Sequence, residues 1–310
     1  MSSRPLSSKK PALSQVSDFD LRLLRLFKTV VQCGSFSAAE STLGISRSAI
    51  SLHMSDLEKR LGMRLCQRGR AGFALTDQGR EVLRSGEAVL AAIEGFRSEV
   101  NQLHSQLRGD LNIGLMSNLV TQPKMRITRA LASLRRQGDG VTVNLSMSTP
   151  GEIERGLLDG RLHVGAIPLI TPLSGLEYSL LYEERSYLYC CADHPLFAHA
   201  ETLSNDDLRD VDAVVPSYRM TAEAIGLHQL LECAATATDR EGIAFLILTG
   251  CYIGFLPDHY AAGWVEKGLL KAIAPHRLFF DAPLAVVTVR GRRSNLIIDH
   301  FLDVLQRNDC

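Results

Sequence analysis

Apolar residues recur along the first hundred positions at spacings of three and four, the period of a helix with one buried face. Phe19, Leu23, Leu24, Phe27, Val30 and Val31 form the first stripe, with Asp18 or Asp20 placed to cap it and Gly34 to end it. A second helix is predicted over 38–43, capped by Ser37, with Glu40 three residues on completing a capping box. Gly44 supplies a turn, Ile45 plugs the core beneath it, and Ser46 caps a third helix that reaches Leu61 and stops at Gly62. Its inward stripe is Ala49, Ile50, Met54, Leu57 and Leu61, so Arg47, Ser48, Ser51 and His53 face outward near its N-terminal end. Two short strands then flank a Gly-rich turn tipped by Arg68 and Arg70. From a Thr76 cap, Val82, Leu83, Val89, Leu90, Ile93, Phe96, Val100, Leu103 and Leu107 predict one long amphipathic helix. At about 1.5 Å per residue it extends about 45 Å, long enough to pair with its twin in a dimer.

Beyond Gly109, which reads as a hinge, the pattern changes. Strands over 111–115 and 141–146 flank a basic helix over 126–136. Thr149-Pro150 opens another helix, the stretch from Gly156 to Gly160 closes it, and a strand over 163–167 follows. A second block of the same kind spans roughly 186–270, and a strand over 284–289 with a helix over 296–305 rejoins the first. Alternating strand and helix predicts an α/β sheet with right-handed crossovers.

A helix-turn-helix followed by a basic hairpin offers one helix to the DNA major groove, and the hairpin to backbone or minor groove. Arginine bonds guanine bidentately and serine serves bases or phosphate, so Arg47, Ser48 and Ser51 suit that helix. Net charge is zero over 310 residues, which at first argues against a nucleic-acid partner. The zero conceals an asymmetry: residues 1–107 carry 15 Lys and Arg against 10 Asp and Glu, and residues 108–310 carry 19 against 24. A basic front and an acidic back fit a chain in which only the front meets phosphate.

Other chemistry is weaker. No apolar run approaches the roughly 18 residues needed to span a bilayer, and residues 1–17 are polar, reading as a disordered arm rather than a signal peptide. A cytoplasmic protein with no membrane partner is expected. Seven cysteines, at 33, 66, 190, 191, 233, 251 and 310, contain no CxxC pair, so neither a disulfide framework nor a zinc site is expected. Cys190, Cys191 and His194 raise the alternative of a redox-sensing regulator, but Tyr187-Leu188-Tyr189-Cys190-Cys191-Ala192 reads as a buried strand. His194, His199 and His259 lack metal-ligand spacing, and no triad, P-loop or nucleotide fingerprint is present, so neither enzyme nor cofactor is expected.

Four motifs carry a resemblance: Phe36-Ser37-Ala38-Ala39-Glu40, Leu43-Gly44-Ile45-Ser46-Arg47-Ser48-Ala49-Ile50-Ser51, Leu57-Glu58-Lys59-Arg60-Leu61-Gly62 and Leu75-Thr76-Asp77-Gln78-Gly79. In order and spacing the chain resembles the LysR-type transcriptional regulators, a likeness that extends through Leu111-Asn112-Ile113-Gly114, His194-Pro195-Leu196 and Gly250-Cys251-Tyr252-Ile253-Gly254-Phe255-Leu256-Pro257. It departs where many members carry Gln-Pro, having Arg47-Ser48, and where an arginine commonly follows the serine, having Leu52. Leu52 either meets a thymine methyl or turns inward. The resemblance implies an N-terminal all-α winged helix-turn-helix over 18–76 and a linker helix over 77–108. It further implies a C-terminal α/β body over 109–310, two-lobed like type 2 periplasmic binding proteins, with lobe I at about 109–182 and 280–310 and lobe II at about 183–279. Candidate DNA contacts are Ser37, Ser46, Arg47, Ser48, Ser51, His53, Arg68 and Arg70.

In open α/β sheets ligands sit at the carboxyl ends of strands, near helix N-termini. That selects Ser117, Asn118, Thr149, Ser217 and Thr238 as candidate effector contacts. The expected function is operator binding by a homodimer or homotetramer, tuned by a small-molecule effector in the cleft. The rival from another class is a solute-binding or carrier protein with a helical interaction module.

Overall fold

The computed structural model describes residues 15–69, 72–102 and 107–307. The proposed arm lies almost wholly outside them, as do Arg70, Cys310 and residues 103–106 of the expected linker. The chain divides into two compact units, Met1–Phe96 and Arg97–Cys310.

In the first unit α1 (Asp18–Cys33), α2 (Phe36–Leu43) and α3 (Arg47–Leu61) surround a core of Leu23, Leu26, Phe27, Val30, Ala39, Ile50, Met54, Leu57 and Leu65. The α1 stripe is centred one step away from the expected one, since Leu26 is buried while Phe19 is 43% exposed. Its cap also differs: Ser17 is the N-cap, and Asp20 completes a capping box from inside the helix. The buried Asp20 carboxylate also pairs with Arg60 of α3, and that guanidinium, with Ser17, holds its pKa down at about 2. Two carboxylate oxygens can serve a cap and an ion pair together, which a linear reading of caps misses.

A similar shift occurs at α2. Ser35, not Ser37, accepts from Ala38 N and caps the helix, leaving Ser37 exposed within its first turn. Glu40 makes no box there; its carboxylate accepts from Arg47 N and so fastens the turn to the start of α3. Strands β1 (Cys66–Gly69) and β2 (Gly72–Leu75) pair antiparallel as the expected hairpin. Glu58, buried in α3, accepts from Leu65 N and Cys66 N and sets the height of that hairpin against the helix.

Thr76 caps α4 (Asp77–Gln102) by accepting from Gly79 N, while its hydroxyl donates to the carbonyl of Arg64. Gly79 is required at this approach, because any Cβ there would collide with the Leu65 carbonyl. Over 26 residues α4 spans about 39 Å. It does not include Leu107, which is non-helical, so the expected linker is shorter than its apolar pattern.

The second unit is a nine-stranded mixed sheet. Its first part contains β3 (Gly109–Leu115), α5 (Arg126–Gln137), β4 (Val141–Met147), α6 (Pro150–Leu158) and β5 (Val164–Pro168). Gly109 is the first residue of β3, paired opposite Val141, and not a free hinge. The 16-residue β6 (Leu176–Cys191) leads into β7 (Asp212–Pro216), α7 (Ala222–His228), β8 (Glu232–Ala237), α8 (Arg240–Leu248), β9 (Ile253–Pro257), α9 (Asp258–Glu266) and β10 (Leu270–Ala272). The return strand β11 (Phe279–Val289) and α10 (Leu296–Gln306) close the chain. The strand order is β4-β3-β5-β11-β6-β9-β7-β8, with β10 beside β6.

Two parallel clusters, β4-β3-β5 and β9-β7-β8, therefore flank a central antiparallel ribbon of β6 and β11, whose register shifts at Leu284/Ala285. Helices cover both faces of each cluster. Phe301 and Leu134 pack over Ile113 and Val286 on one face of the first, and Ile153 and Leu157 of α6 pack over Ala285 and Val287 on the other. Cys190 and Cys191 enter opposite cores of the second cluster, as period-two alternation requires. Burial pushes the Cys190 thiol up to about 11, the reverse of what a thiolate sensor needs.

Candidate functional sites

The first site is the exposed end of α3. Burial of Ile50, Met54 and Leu57 fixes the roll of this helix, and so its outward face. Ser46 caps it by accepting from Ala49 N, and its hydroxyl also meets that of Ser48 at 2.9 Å. Arg47 and Ser48 are exposed, while Ser51 is half-buried. Leu52 is 59% exposed, which resolves its two alternatives: it projects outward. His53 is half-buried, with a sheltered Nδ1 that has no partner. Arg68 lies on β1, and Arg70 is outside the described residues.

The second site lies where the strands of the second unit end. The carboxyl ends of β3, β4, β7, β8 and β9 deliver Met116 to Asn118, Ser148-Thr149, Tyr218-Arg219, Thr238-Asp239, and Pro257 with His259 to one region. An outer cleft of about 550 Å³ is lined by Ser117, Asn118, Thr149 and Thr238 together with Glu152, Asp239, Glu241 and Tyr218. Four of the five expected contacts are thus brought together. Ser217 is not: it is exposed, its N–H donates to the Ala237 carbonyl, and its neighbours Pro216 and Tyr218 face inward instead. Alternation along an extended segment sends adjacent side chains to opposite sides, so choosing the residue after Pro216 rather than the next one misses the cavity.

The helix starts at this cleft are already capped. Thr149 and Glu152 form a capping box on α6, and these bonds to Thr149 hold the Glu152 pKa below the usual carboxylate range. At α8 the cap is Asp239, which accepts from Gly242 N, and not Thr238.

Beneath the outer cleft a smaller cavity of about 50 Å³ is walled by Ile170, Met220, Phe255, Phe280, Tyr218 and His228, with Glu184 and Arg240 at its edge. The Glu184 side chain is 1% exposed and binds Arg240, 6% exposed, in an ion pair. His259 Nε2 lies 2.8 Å from the same carboxylate, and its Nδ1 lies 2.6 Å from Thr121 Oγ1. Burial alone would raise the Glu184 pKa, but Arg240 and His259 outweigh it and hold the group below its ordinary range. Arg240 also donates to the Ser117 carbonyl, and Arg219 pairs with the buried Glu154, which accepts from Tyr178. These contacts join residues of the β3 and β9 ends across the ribbon.

None of Glu184, Arg240, His228, His259 or Tyr218 was among the expected effector contacts. A weak signal existed for one: Glu184 occupies an otherwise apolar-alternating strand, where an acid is buried only with a partner. Which partner is a tertiary fact.

Residues 21–80 match the model of the bacterial regulatory helix-turn-helix protein, lysR family, and residues 104–309 match the LysR substrate binding domain. The chain is 62% identical over 299 residues to the HTH-type transcriptional activator BauR of Pseudomonas aeruginosa, covering 96% of this chain and 98% of that one. It is 27% identical to the probable HTH-type transcriptional regulator LrrA of Synechococcus elongatus, over 81% and 79% of the two chains. Among solved structures it shares the fold of CbnR, a LysR family transcriptional regulator, with a TM-score of 0.66 at 21% identity over 92% of this chain and 98% of that one. CbnR complexed with its target DNA matches with the same TM-score at 22% identity, over 92% and 98% of the two chains.

Proposed function

The chain belongs to the LysR family of bacterial transcriptional regulators, and from that premise we propose that α3 reads its operator, with Arg47, Ser48, Ser51 and Leu52 toward base edges. Ser37, Ser46, His53, Arg68 and Arg70 serve the flanking phosphates and grooves in this reading. The observation that carries it is the roll of α3: Ile50, Met54 and Leu57 are buried while Arg47, Ser48 and Leu52 are exposed along the same helix. Two such helices in a symmetric pair grip an inverted repeat, and α4 is the proposed pairing element. Its Val89, Phe96 and Val100 are 43%, 68% and 39% exposed, an apolar stripe at steps of seven and four that a second copy would cover. The domain bounds 18–76, 77–108 and 109–310, with lobe I at about 109–182 and 280–310 and lobe II at about 183–279, are part of the proposal.

The cleft lined by Ser117, Asn118, Thr149 and Thr238 takes a small-molecule effector, whose binding alters the placement of the paired readers. Activation is the proposed direction of control, supported by the relative at 62% identity, a transcriptional activator. We also place the protein in the cytoplasm and assign it no catalytic activity; among the described residues no helix is long and apolar enough to cross a membrane.

Footprinting upstream of the chain's own gene and its neighbour, and on sequences selected from a random pool, tests operator binding. Salt-sensitive protection is expected, and its absence from every sequence would sink the proposal and favour a carrier protein. Arg47→Ala should relax base choice at one position by about 1–3 kcal/mol, and Arg70→Ala should weaken all sequences alike. Uniform losses from both would contradict the assigned roles.

A further inference from the structure

We propose that the effector of this cleft is an organic ammonium compound whose N–H donor is read by His228 Nε2, an inference that rests on the effector-cleft reading above. His228 is 5% exposed and lines the inner cavity. Its Nδ1 lies 2.7 Å from the Ala224 carbonyl, which can only accept, so Nδ1 carries the proton and donates. Nε2 is then a bare lone pair, and it is buried with no hydrogen-bond partner among the described residues. A buried acceptor left unmatched is costly, and this one becomes matched when a ligand brings an N–H or O–H to it.

Charge distinguishes among donors. The charged residues lining the outer cleft are Glu152, Asp239 and Glu241, with no lysine or arginine among its described lining residues. The two helix starts that would otherwise welcome an anion are occupied by their own acidic side chains, Glu152 with Thr149 at α6 and Asp239 at α8. In the inner cavity Arg240 is paired with Glu184, and Arg219 with Glu154. An anionic ligand head would therefore meet carboxylates on its way in and a lone pair at the end, with no uncommitted cation in the wall. A cationic head is attracted along the same path. The aromatic rings fit it as well: Phe255 lies 5.0 Å from His228 and 5.3 Å from Phe280, centroid to centroid, giving π surface to the ammonium and apolar surface to the carbon next to it. Met116 and Tyr218 line both cavities, so a head group in the inner one leaves its stem in the outer.

The test uses the full chain, titrated calorimetrically with primary alkylammonium ions of two to six carbons, the matched alkanoates and the matched alkanols. Saturable binding of an ammonium member is expected, tighter than its acid and alcohol counterparts. His228→Phe keeps an aromatic ring but removes the Nε2 acceptor along with the Nδ1 donor to Ala224, and should weaken that binding at least about tenfold. Glu241→Gln alters an exposed cleft carboxylate without touching the core, and should weaken it about two- to fivefold at low salt while leaving alkanols unaffected. The second variant keeps the test decisive where the first fails to fold. Alkanoates or alkanols binding tighter than ammonium, or ammonium binding indifferent to both substitutions, overturns the ammonium class and leaves the effector cleft standing. Saturation by none of the three series overturns the cleft reading itself, and the inference with it.

Discussion

Removing the Arg240 guanidinium should strongly destabilise the second unit. Glu184 and Arg240 are 1% and 6% exposed in their side chains, so water cannot take over when one partner leaves. In Arg240→Met the carboxylate retains His259 at 2.8 Å and Gln122 at 3.4 Å but loses the permanent cation paired with it. Breaking a buried pair from one side costs about 3–5 kcal/mol, roughly a fifth or more of the roughly 5–15 kcal/mol that holds a domain folded. Replacing both partners, as Arg240→Met with Glu184→Gln, should recover most of that loss, because no uncompensated charge then remains. The single tryptophan, Trp264 on α9, stacks edge-on to Tyr260 within the same unit and reports its unfolding by fluorescence in urea. The pair also sets an acid limit. Glu184 has a lowered folded pKa, so its contribution is full above the unfolded value of about 4.3 and is lost as pH falls through the folded value. A single substitution costing under about 1 kcal/mol, or a double substitution costing the sum of its singles, would refute the coupling.

Other outcomes follow from the same structure. Asp20→Asn should cost the first unit about 1–2 kcal/mol at neutral pH, allowing for the part-exposed Arg60, and flatten an acid transition otherwise running from about 4 down to about 2; circular dichroism against pH reads both. Gly79→Ala should lower stability by about 1–3 kcal/mol in thermal melts, since its methyl meets the Leu65 carbonyl; an unchanged melt would contradict that packing. Leu52→Ala should leave the melting temperature alone, because the side chain is 59% exposed, while weakening operator binding in gel shifts by about 0.5–1 kcal/mol. Phe96→Glu should shift the chain toward monomer in sedimentation, and an unaltered oligomer would remove α4 as the pairing element.

Much of the first unit was legible from spacing alone, since a helix one turn from its neighbour declares its caps and stripe locally. Apart from the α1 stripe, which takes Leu26 and leaves Phe19 exposed, the errors there concern caps. Ser17 and Ser35 cap where Asp18 or Asp20 and Ser37 were expected, because several adjacent polar residues fit a cap equally well and only backbone direction selects one. Asp20, which still closes the capping box of α1, and Glu40, which makes no box, turned out to fasten α3 to its neighbours. Leu52 could be read two ways until burial of Ile50 and Met54 fixed the roll of the helix.

In the second unit the sequence by itself determined the alternation of strand and helix, its division into two blocks, and the strand ends where Ser117, Asn118, Thr149 and Thr238 would lie. Period and turn chemistry are local properties, and the chain carries them residue by residue. Only the tertiary structure decided which of those ends converge, that Ser217 turns away, and that Glu184 meets Arg240 from 56 residues away and His259 from 75. It also decided that the helix starts at the cleft are filled by their own acids and that His228 keeps a lone pair without a partner. Such facts depend on distances through space between segments remote in sequence. A pattern of apolar and polar positions sets which face is buried, and not which buried group will stand opposite another.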